Sequence, residues 1–306
     1  MCKLKSGILL KDLVFIPDYD SHEDMLGELK IKDTEENAKR LFVRAELIPP
    51  NDDVFTPVSE WKYRVDQDIL PDWYVPEVDE KRMRDAVAEW ANDHIHVGKK
   101  IKEITSGLHW IKDGTVGVIG GSVEIRELCG AATVGNVCGS AKVENVCGAA
   151  TVGNVCGSAK VENVCGAATV ENIYGSAKVE NVCGAATVEN IYGSATVENV
   201  CGYAKVENIY GSATVENVCG SATVENIYGS AKVENVCGYA TVENIYGSAK
   251  VENVCGYATV ITSCILKWYN ADGVCIKDDA VLIDRYDKKI YHAGEFETVI
   301  AGGQRK

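Results

Sequence analysis

The residues with the most chemical potential in this chain stand in columns. Cys129, Cys147, Cys165, Cys183, Cys201, Cys219, Cys237 and Cys255 recur every eighteen residues. Stacked at the ~4.8 Å spacing of neighbouring strands, such thiols could bind soft metals or react with oxidants. Few basic residues accompany them to lower a thiol pKa. The first of them have Ala131, Ala149, Ala167 and Ala185 beside them, then Thr133, Thr151, Thr169 and Thr187. That set describes a small-residue packing surface better than a reactive one.

A second column is acidic: Glu171, Glu180, Glu189, Glu198, Glu207, Glu216, Glu225, Glu234, Glu243 and Glu252. Two rows of carboxylates on a rigid support imitate the phosphate rows of a duplex and would occupy a nucleic-acid-binding protein. A simpler role is a solvated edge that deters strand addition. Six lysines inside the same repeats offset part of the charge.

Outside the columns, Cys2 follows Met1, and an N-terminal cysteine can combine a thiol nucleophile with an amine base, with His22, His94 or His96 assisting. His94-Ile95-His96, with His109 close in sequence, offers metal ligands, yet no CxxC or HExxH accompanies them. Solvated histidines at a helix end are the expected state. No catalytic, cofactor or metal site is predicted.

The columns need an element that repeats without slippage. From Leu128 to Thr262 the chain repeats (V/I)(C/Y)G(S/A/Y)A(T/K)V(E/G)N fifteen times, with no insertion, and a looser unit begins at Ile119. A fixed period of this kind marks a stacked architecture. In Val137–Val143, alternation puts Val137, Gly139, Ala141 and Val143 inward and Cys138, Ser140 and Lys142 outward, with Glu144-Asn145 as the corner. Asn suits a tight corner and can hydrogen-bond its stacked copies. The period doubles: the eight cysteines occupy one phase, while Cys138 and Cys156, then Tyr174, Tyr192, Tyr210, Tyr228 and Tyr246 occupy the other. Two strands therefore form an eighteen-residue coil, and the fold class is mainly β: a two-sheet parallel β-solenoid. About eight coils at ~4.8 Å make a stack of roughly 40 Å. Each coil buries four Val or Ile at about 1.5–3 kcal/mol each, against about 1–2 kcal/mol per residue for ordering the backbone. A lone coil cannot fold, so the stack must be cooperative and its ends covered.

Calcium-binding β-rolls need an Asp in each repeat, and these repeats have none. Ice-binding solenoids present paired Thr columns, whereas here one column runs per face, and Lys142, Lys160, Lys178, Lys232 and Lys250 interrupt the Tyr face.

All six prolines fall between Pro17 and Pro76, and every Phe and Trp lies outside the repeats. This predicts a small α+β domain over 1–112, the solenoid over 113–262 and a β cap over 263–306. In the first, GILLKDLVFIP predicts two short strands around Lys11-Asp12. Helices are expected from Asp20 or Ser21 to Leu29, from Thr34 to Leu41, and from Pro76 to Ile95 with Met83, Val87, Trp90 and Ala91 on one face. Phe42–Pro50 and Trp61–Ile69 read as strands. In the cap, strands flank Asn270-Ala271-Asp272-Gly273 and Asp287-Lys288.

The run Ile8-Leu9-Leu10 is too short for a signal-peptide core, and no stretch reaches membrane-span length. Thirteen cysteines, an odd number in a ladder, do not read as a disulfide framework. A cytoplasmic chain with reduced thiols is expected. The net charge of −14 disfavours direct contact with nucleic acid or anionic membrane.

The opening MCKLKSGILLKDLVFIPDYDSHEDML, the later ILPDWYVPE and the tandem array together resemble uncharacterised tandem-repeat proteins of gut bacteria and their phages, which pair such an N-terminal domain with short repeats. The resemblance implies a phage or prophage origin and carries over no catalytic residues.

The expected function is a non-enzymatic scaffold or binding rod. The alternative is the acidic decoy, and the third is an enzyme using Cys2. The expected partner is a second copy, meeting through Cys147, Cys165, Cys183, Cys201, Cys219 and Cys237, with Thr151, Thr169 and Thr187 and with Tyr203, Tyr239 and Tyr257; a host protein is the other candidate occupant.

Overall fold

The computed structural model describes residues 5–262, 275–285, 288–293 and 295–298. The chain forms two compact units: 1–97 with 107–110, and 98–106 with 111–306.

The first unit is built on a four-stranded antiparallel sheet. Strands β1 (Lys5–Leu10), β2 (Val14–Phe15), β3 (Phe42–Ile48) and β4 (Lys62–Val65) stand in the order β2-β1-β3-β4. The β1–β2 turn at Lys11-Asp12 closes with Leu10 N–H donating to Leu13 O at 2.7 Å. Helix α1 (His22–Glu28) starts at Ser21, whose side chain accepts from Asp24 N–H. Helix α2 is shorter than its sequence pattern suggests, Glu35–Ala38, capped by Thr34. Helix α3 (Pro76–His94) begins with Pro in its first turn and buries Met83, Val87, Trp90 and Ala91. Met83 and Val87 pack with Leu9, Val43, Ala45, Leu47 and Trp61, so the helix covers one face of the sheet.

The second unit is a two-sheet parallel β-solenoid. Among the described residues, one sheet has thirteen strands, from Lys100–Ile104 to Glu295–Thr298. The alternate strands from Glu124–Cys129 to Cys275–Ile276 continue in the other. Within the repeats, successive partners in a sheet are eighteen residues apart and in register, as in Lys142↔Lys160 and Val143↔Val161. The ladder starts before the recognisable repeat. Lys100–Ile104 pairs in parallel with Thr115–Ile119, and Thr115–Ile119 with Thr133–Val137. At the other end, Val281–Asp284 extends the sheet in parallel beside Thr259–Thr262, and Lys289–His292 then pairs antiparallel with Val281–Asp284. Lys288 turns that hairpin at φ +55°. The expected turn at Asn270-Ala271-Asp272-Gly273 and Asp287 lie outside the described residues.

The structure moves the corner. The strand is Lys142–Val146, which runs through Glu144-Asn145, and the four-residue turn is Cys138-Gly139-Ser140-Ala141, closed by Ala141 N–H to Cys138 O at 3.3 Å. Gly139 has φ +70° and is exposed rather than inward. Alternation could not separate the two readings, because an inward Gly and a turn Gly occupy the same parity. The left-handed φ favours the turn, since only Gly adopts it without a Cβ penalty. The core is lined by Val143, Val146 and Ala141 and their equivalents, all essentially inaccessible. Glu144 and Asn145 both lie outside it, so alternation breaks at this point within the strand. The ladder still continues through the turns: Ser158 N–H donates to Gly139 O one coil earlier at 2.9 Å.

Candidate functional site

Moving the turn converts two supposed faces into two edges. The cysteine column from Cys129 to Cys255 opens one set of turns. Cys138, Cys156 and the tyrosines from Tyr174 to Tyr246 open the opposite set. Thr151, Thr169 and Thr187 are first residues of strands next to the cysteine edge. Tyr203, Tyr239 and Tyr257 each follow the turn glycine on that edge. They are 79%, 67% and 57% exposed, and the Tyr239 and Tyr257 rings stack at 5.1 Å. On the opposite edge Tyr174–Tyr192, Tyr210–Tyr228 and Tyr228–Tyr246 stack at about 5 Å.

Cys147, Cys165, Cys183, Cys201, Cys219 and Cys237 are half-buried thiols outside any disulfide. Burial and the neighbouring thiols push Cys165, Cys183, Cys201 and Cys237 above the ordinary thiol range. They stand protonated at neutral pH, a property of packing groups and not of nucleophiles. Cys2 lies outside the described residues.

The glutamates do not sit at corners. Each occupies the middle of a strand, two residues beyond a Lys or Thr, on the outer surface of a sheet. Lysine reaches one coil ahead: Lys160–Glu180 at 2.7 Å, Lys178–Glu198 at 2.5 Å, Lys205–Glu225 at 2.8 Å and Lys232–Glu252 at 3.0 Å. Glu207 and Glu234 also lie at about 3 Å from Lys205 and Lys232 of their own strands. Glu171, Glu189, Glu216 and Glu243 fill the equivalent strand positions. The outer surface of the sheet that carries Lys142, Lys160, Lys178, Lys232 and Lys250 is therefore a mixed ionic lattice, and on the other sheet Lys205 does the same for Glu207 and Glu225. The sequence pattern conceals this, because alternation puts Lys in the strand and Glu at the corner, whereas both lie on one side of one strand.

The histidines of the first unit are not solvated. His96 and His109 are buried, at 7% and 9% exposure, with Nε2 of His96 at 3.2 Å from Nδ1 of His109. Trp90, His94, His109 and His96 form a stacked series with ring centroids 4.5, 5.5 and 5.2 Å apart. Asp18 holds one end, accepting from Trp90 Nε1 at 3.2 Å and lying 2.9 Å from His94 Nε2. Lys5, itself buried, stands over the Trp90 ring at 4.7 Å and pairs with Asp20 at 2.9 Å. Burial lowers the Lys5 pKa. Helix α3 ends at His94 and the chain turns directly into an extended segment, which brings these rings together. Nothing in the local pattern signals that approach. His22 is elsewhere, 3.4 Å from Asp66.

Two recesses open on the first unit. One of about 410 Å³ is lined by Glu77, Glu80, Lys81, Arg84 and Asp85, whose charges pair along the helix as Arg84–Glu80 and Lys81–Asp85. The other, about 440 Å³, is lined by Asp33, Arg44, Gln67 and Asp68. Neither gathers a nucleophile with a base.

One convergence of ligating atoms escaped the sequence pattern. The Glu127 carboxylate and the thiols of Cys129 and Cys147 all lie within 4.8 Å of one another. Glu127 and Cys129 share one strand, and Cys147 follows one coil later. The signal was present: Glu127 pairs in register with Asn145, so it holds a carboxylate where the repeat coils from Asn145 to Asn253 have Asn.

Among the described residues no helix is long and apolar enough to cross a membrane. Comparison with family models, curated proteins and solved structures returned no match to this chain.

Proposed function

We propose that this protein is a non-enzymatic scaffold whose solenoid binds through its cysteine-lined edge, and that the occupant of that edge is a second copy of the chain. The observation that carries this reading is the exposure of Tyr203, Tyr239 and Tyr257 along one edge. The turn positions around them are otherwise Cys, Gly, Ala and Ser, so the strip carries aromatics without charge. Exposed aromatics and a lack of charge are interface features, and monomers seldom leave large apolar patches uncovered. A column that repeats along an edge is self-complementary under two-fold symmetry. In a reducing cytoplasmic setting the thiols pack as small apolar groups. The acidic-decoy alternative has less support, because Glu180, Glu198, Glu207, Glu225, Glu234 and Glu252 already neighbour lysines.

Light scattering at micromolar concentration tests the proposal. The wild type is expected to be a dimer. Tyr239→Lys combined with Tyr257→Lys, and Thr169→Lys combined with Thr187→Lys, are each expected to give a monomer with unchanged far-ultraviolet circular dichroism. A monomeric wild type overturns the reading, as does a dimer that neither pair of lysines weakens.

A further inference from the structure

We propose that Glu127, Cys129 and Cys147 form a binding site for a thiophilic divalent cation of the Zn2+ or Cd2+ type. The site takes Cys147, at the start of that edge, out of the packing surface and makes it a ligand, and its test reads metal binding, not oligomeric state.

The ligand set is appropriate: two sulfurs and one carboxylate oxygen suit a d10 cation that accepts tetrahedral coordination. The geometry is close to that of a loaded site. Cys147 Sγ lies 4.0 Å from Glu127 Oε1, and all three ligating atoms fall within 4.8 Å of each other. Metal–sulfur and metal–oxygen bonds of about 2.3 and 2.1 Å at tetrahedral angles require separations of about 3.6–3.8 Å between ligating atoms. Closure therefore asks for shifts of about 1 Å or less from side chains on rigid strands.

The place in the fold is special in two ways. Cys129 is the buried member of its column, 7% exposed, whereas the described cysteines above it are half-buried. The carboxylate is also peculiar to this coil. In later coils the residue in register is Asn, donating to the Asn one coil earlier, as Asn163 does to Asn145 at 3.1 Å. A mere thiol ladder would bind metal anywhere along its length, but a carboxylate beside two thiols occurs at its first coil.

Metal ligation requires both thiols as thiolates, so binding releases protons: one M2+, two thiols and one carboxylate give a bis-thiolate carboxylate complex of charge −1 and two H+. Affinity must then rise with pH. Water or a small anion completes the fourth position.

The test uses the full-length protein, reduced with a non-thiol phosphine, and Co2+ as the spectroscopic probe. One Co2+ per chain is expected, with sulfur-to-cobalt charge transfer and tetrahedral d–d bands, displaced by one equivalent of Zn2+ with two protons released. Glu127→Gln should weaken binding at least about tenfold. Cys129→Ser and Cys147→Ser should each abolish the charge-transfer signal, while Cys201→Ser with Cys219→Ser should leave it unchanged. Circular dichroism without metal establishes that each variant folds; if Cys129→Ser does not, Glu127→Gln and Cys147→Ser decide. Stoichiometry that tracks the total thiol count, or a signal insensitive to Glu127→Gln, overturns the proposal.

Discussion

Asn199 donates from Nδ2 to Oδ1 of Asn181, 3.0 Å away and one coil earlier. The same amide accepts from Asn217 Nδ2 at 3.0 Å, and the chain of donors runs along the stack. Each amide takes a partner from the coil before and offers one to the coil after, so the row is satisfied only at a common register. Asn199→Ala removes one donor and one acceptor from the half-buried row. A loss of about 1–3 kcal/mol is expected in denaturant titration, with Asn199→Asp at least as costly, because a carboxylate cannot donate to Asn181.

Glycine substitutions should sort by how closely the turns stack. Gly220 has φ +68°, and a Cβ there would lie 2.9 Å from the backbone nitrogen of Gly202. At Gly247, φ +71°, the nearest atom would be 3.4 Å away. Both alanine variants bear a left-handed penalty of about 1–2 kcal/mol. Gly220→Ala must also displace backbone, so it should melt at the lower temperature of the two. Equal melting temperatures would mean that the turns move apart freely.

The ionic lattice predicts a specific pH response. The hydrogen bond from Lys160 holds the Glu180 carboxyl below its ordinary value. A folded pKa below the unfolded one gives stability that is complete above the ordinary carboxylate range and is lost as pH falls through the folded value. Lys160→Gln should return Glu180 towards the ordinary value, read by 13C NMR titration, with a small stability change because both side chains are largely solvated. The coupling should shrink in high salt.

The cysteine column should be sluggish towards alkylating agents. Burial raises Cys183, Cys201 and Cys237, so little thiolate exists at neutral pH. Mass spectrometry should show slow iodoacetamide labelling of the native protein and fast labelling in urea. The stability that these raised values contribute is present below the unfolded thiol pKa and is lost as pH rises through the folded value.

Deletions test the coil length. Removing residues 178–195, one full coil, keeps every strand in its sheet and every column on its edge. Removing 178–186 sets Tyr192 over Cys165 and Cys201 over Tyr174, and moves the terminal strands to the opposite sheets. The first variant should remain cooperative, with little change in melting temperature. The second should melt lower and lose the Tyr174–Tyr192 stack, while Tyr210, Tyr228 and Tyr246 keep their mutual register.

Periodicity alone specifies the stack. An uninterrupted nine-residue period, doubled by the Cys and Tyr phases, requires eighteen-residue coils and two parallel sheets, because any other coil length would misalign the columns. The Asn rows were legible for the same reason: identical amides at a fixed spacing find each other in any in-register stack. Helix α3 and its buried face followed from the apolar period and from Glu77 and Asp79 in the first turn.

Packing in three dimensions resolved what periodicity leaves degenerate. Gly139 satisfied the parity of an inward residue and of a turn residue equally, and only its left-handed φ distinguishes them. That choice carried Glu144 from a corner into a strand, beside Lys142, and turned two faces into two edges. Lys100–Ile104 joined the ladder without matching the repeat, since parallel pairing needs backbone and an apolar inner side, not sequence identity. The stack of Trp90, His94, His109 and His96, and the meeting of Glu127 with Cys129 and Cys147, depend on approaches between segments far apart or one coil apart. Such approaches are fixed by how the elements pack, and no local pattern encodes them.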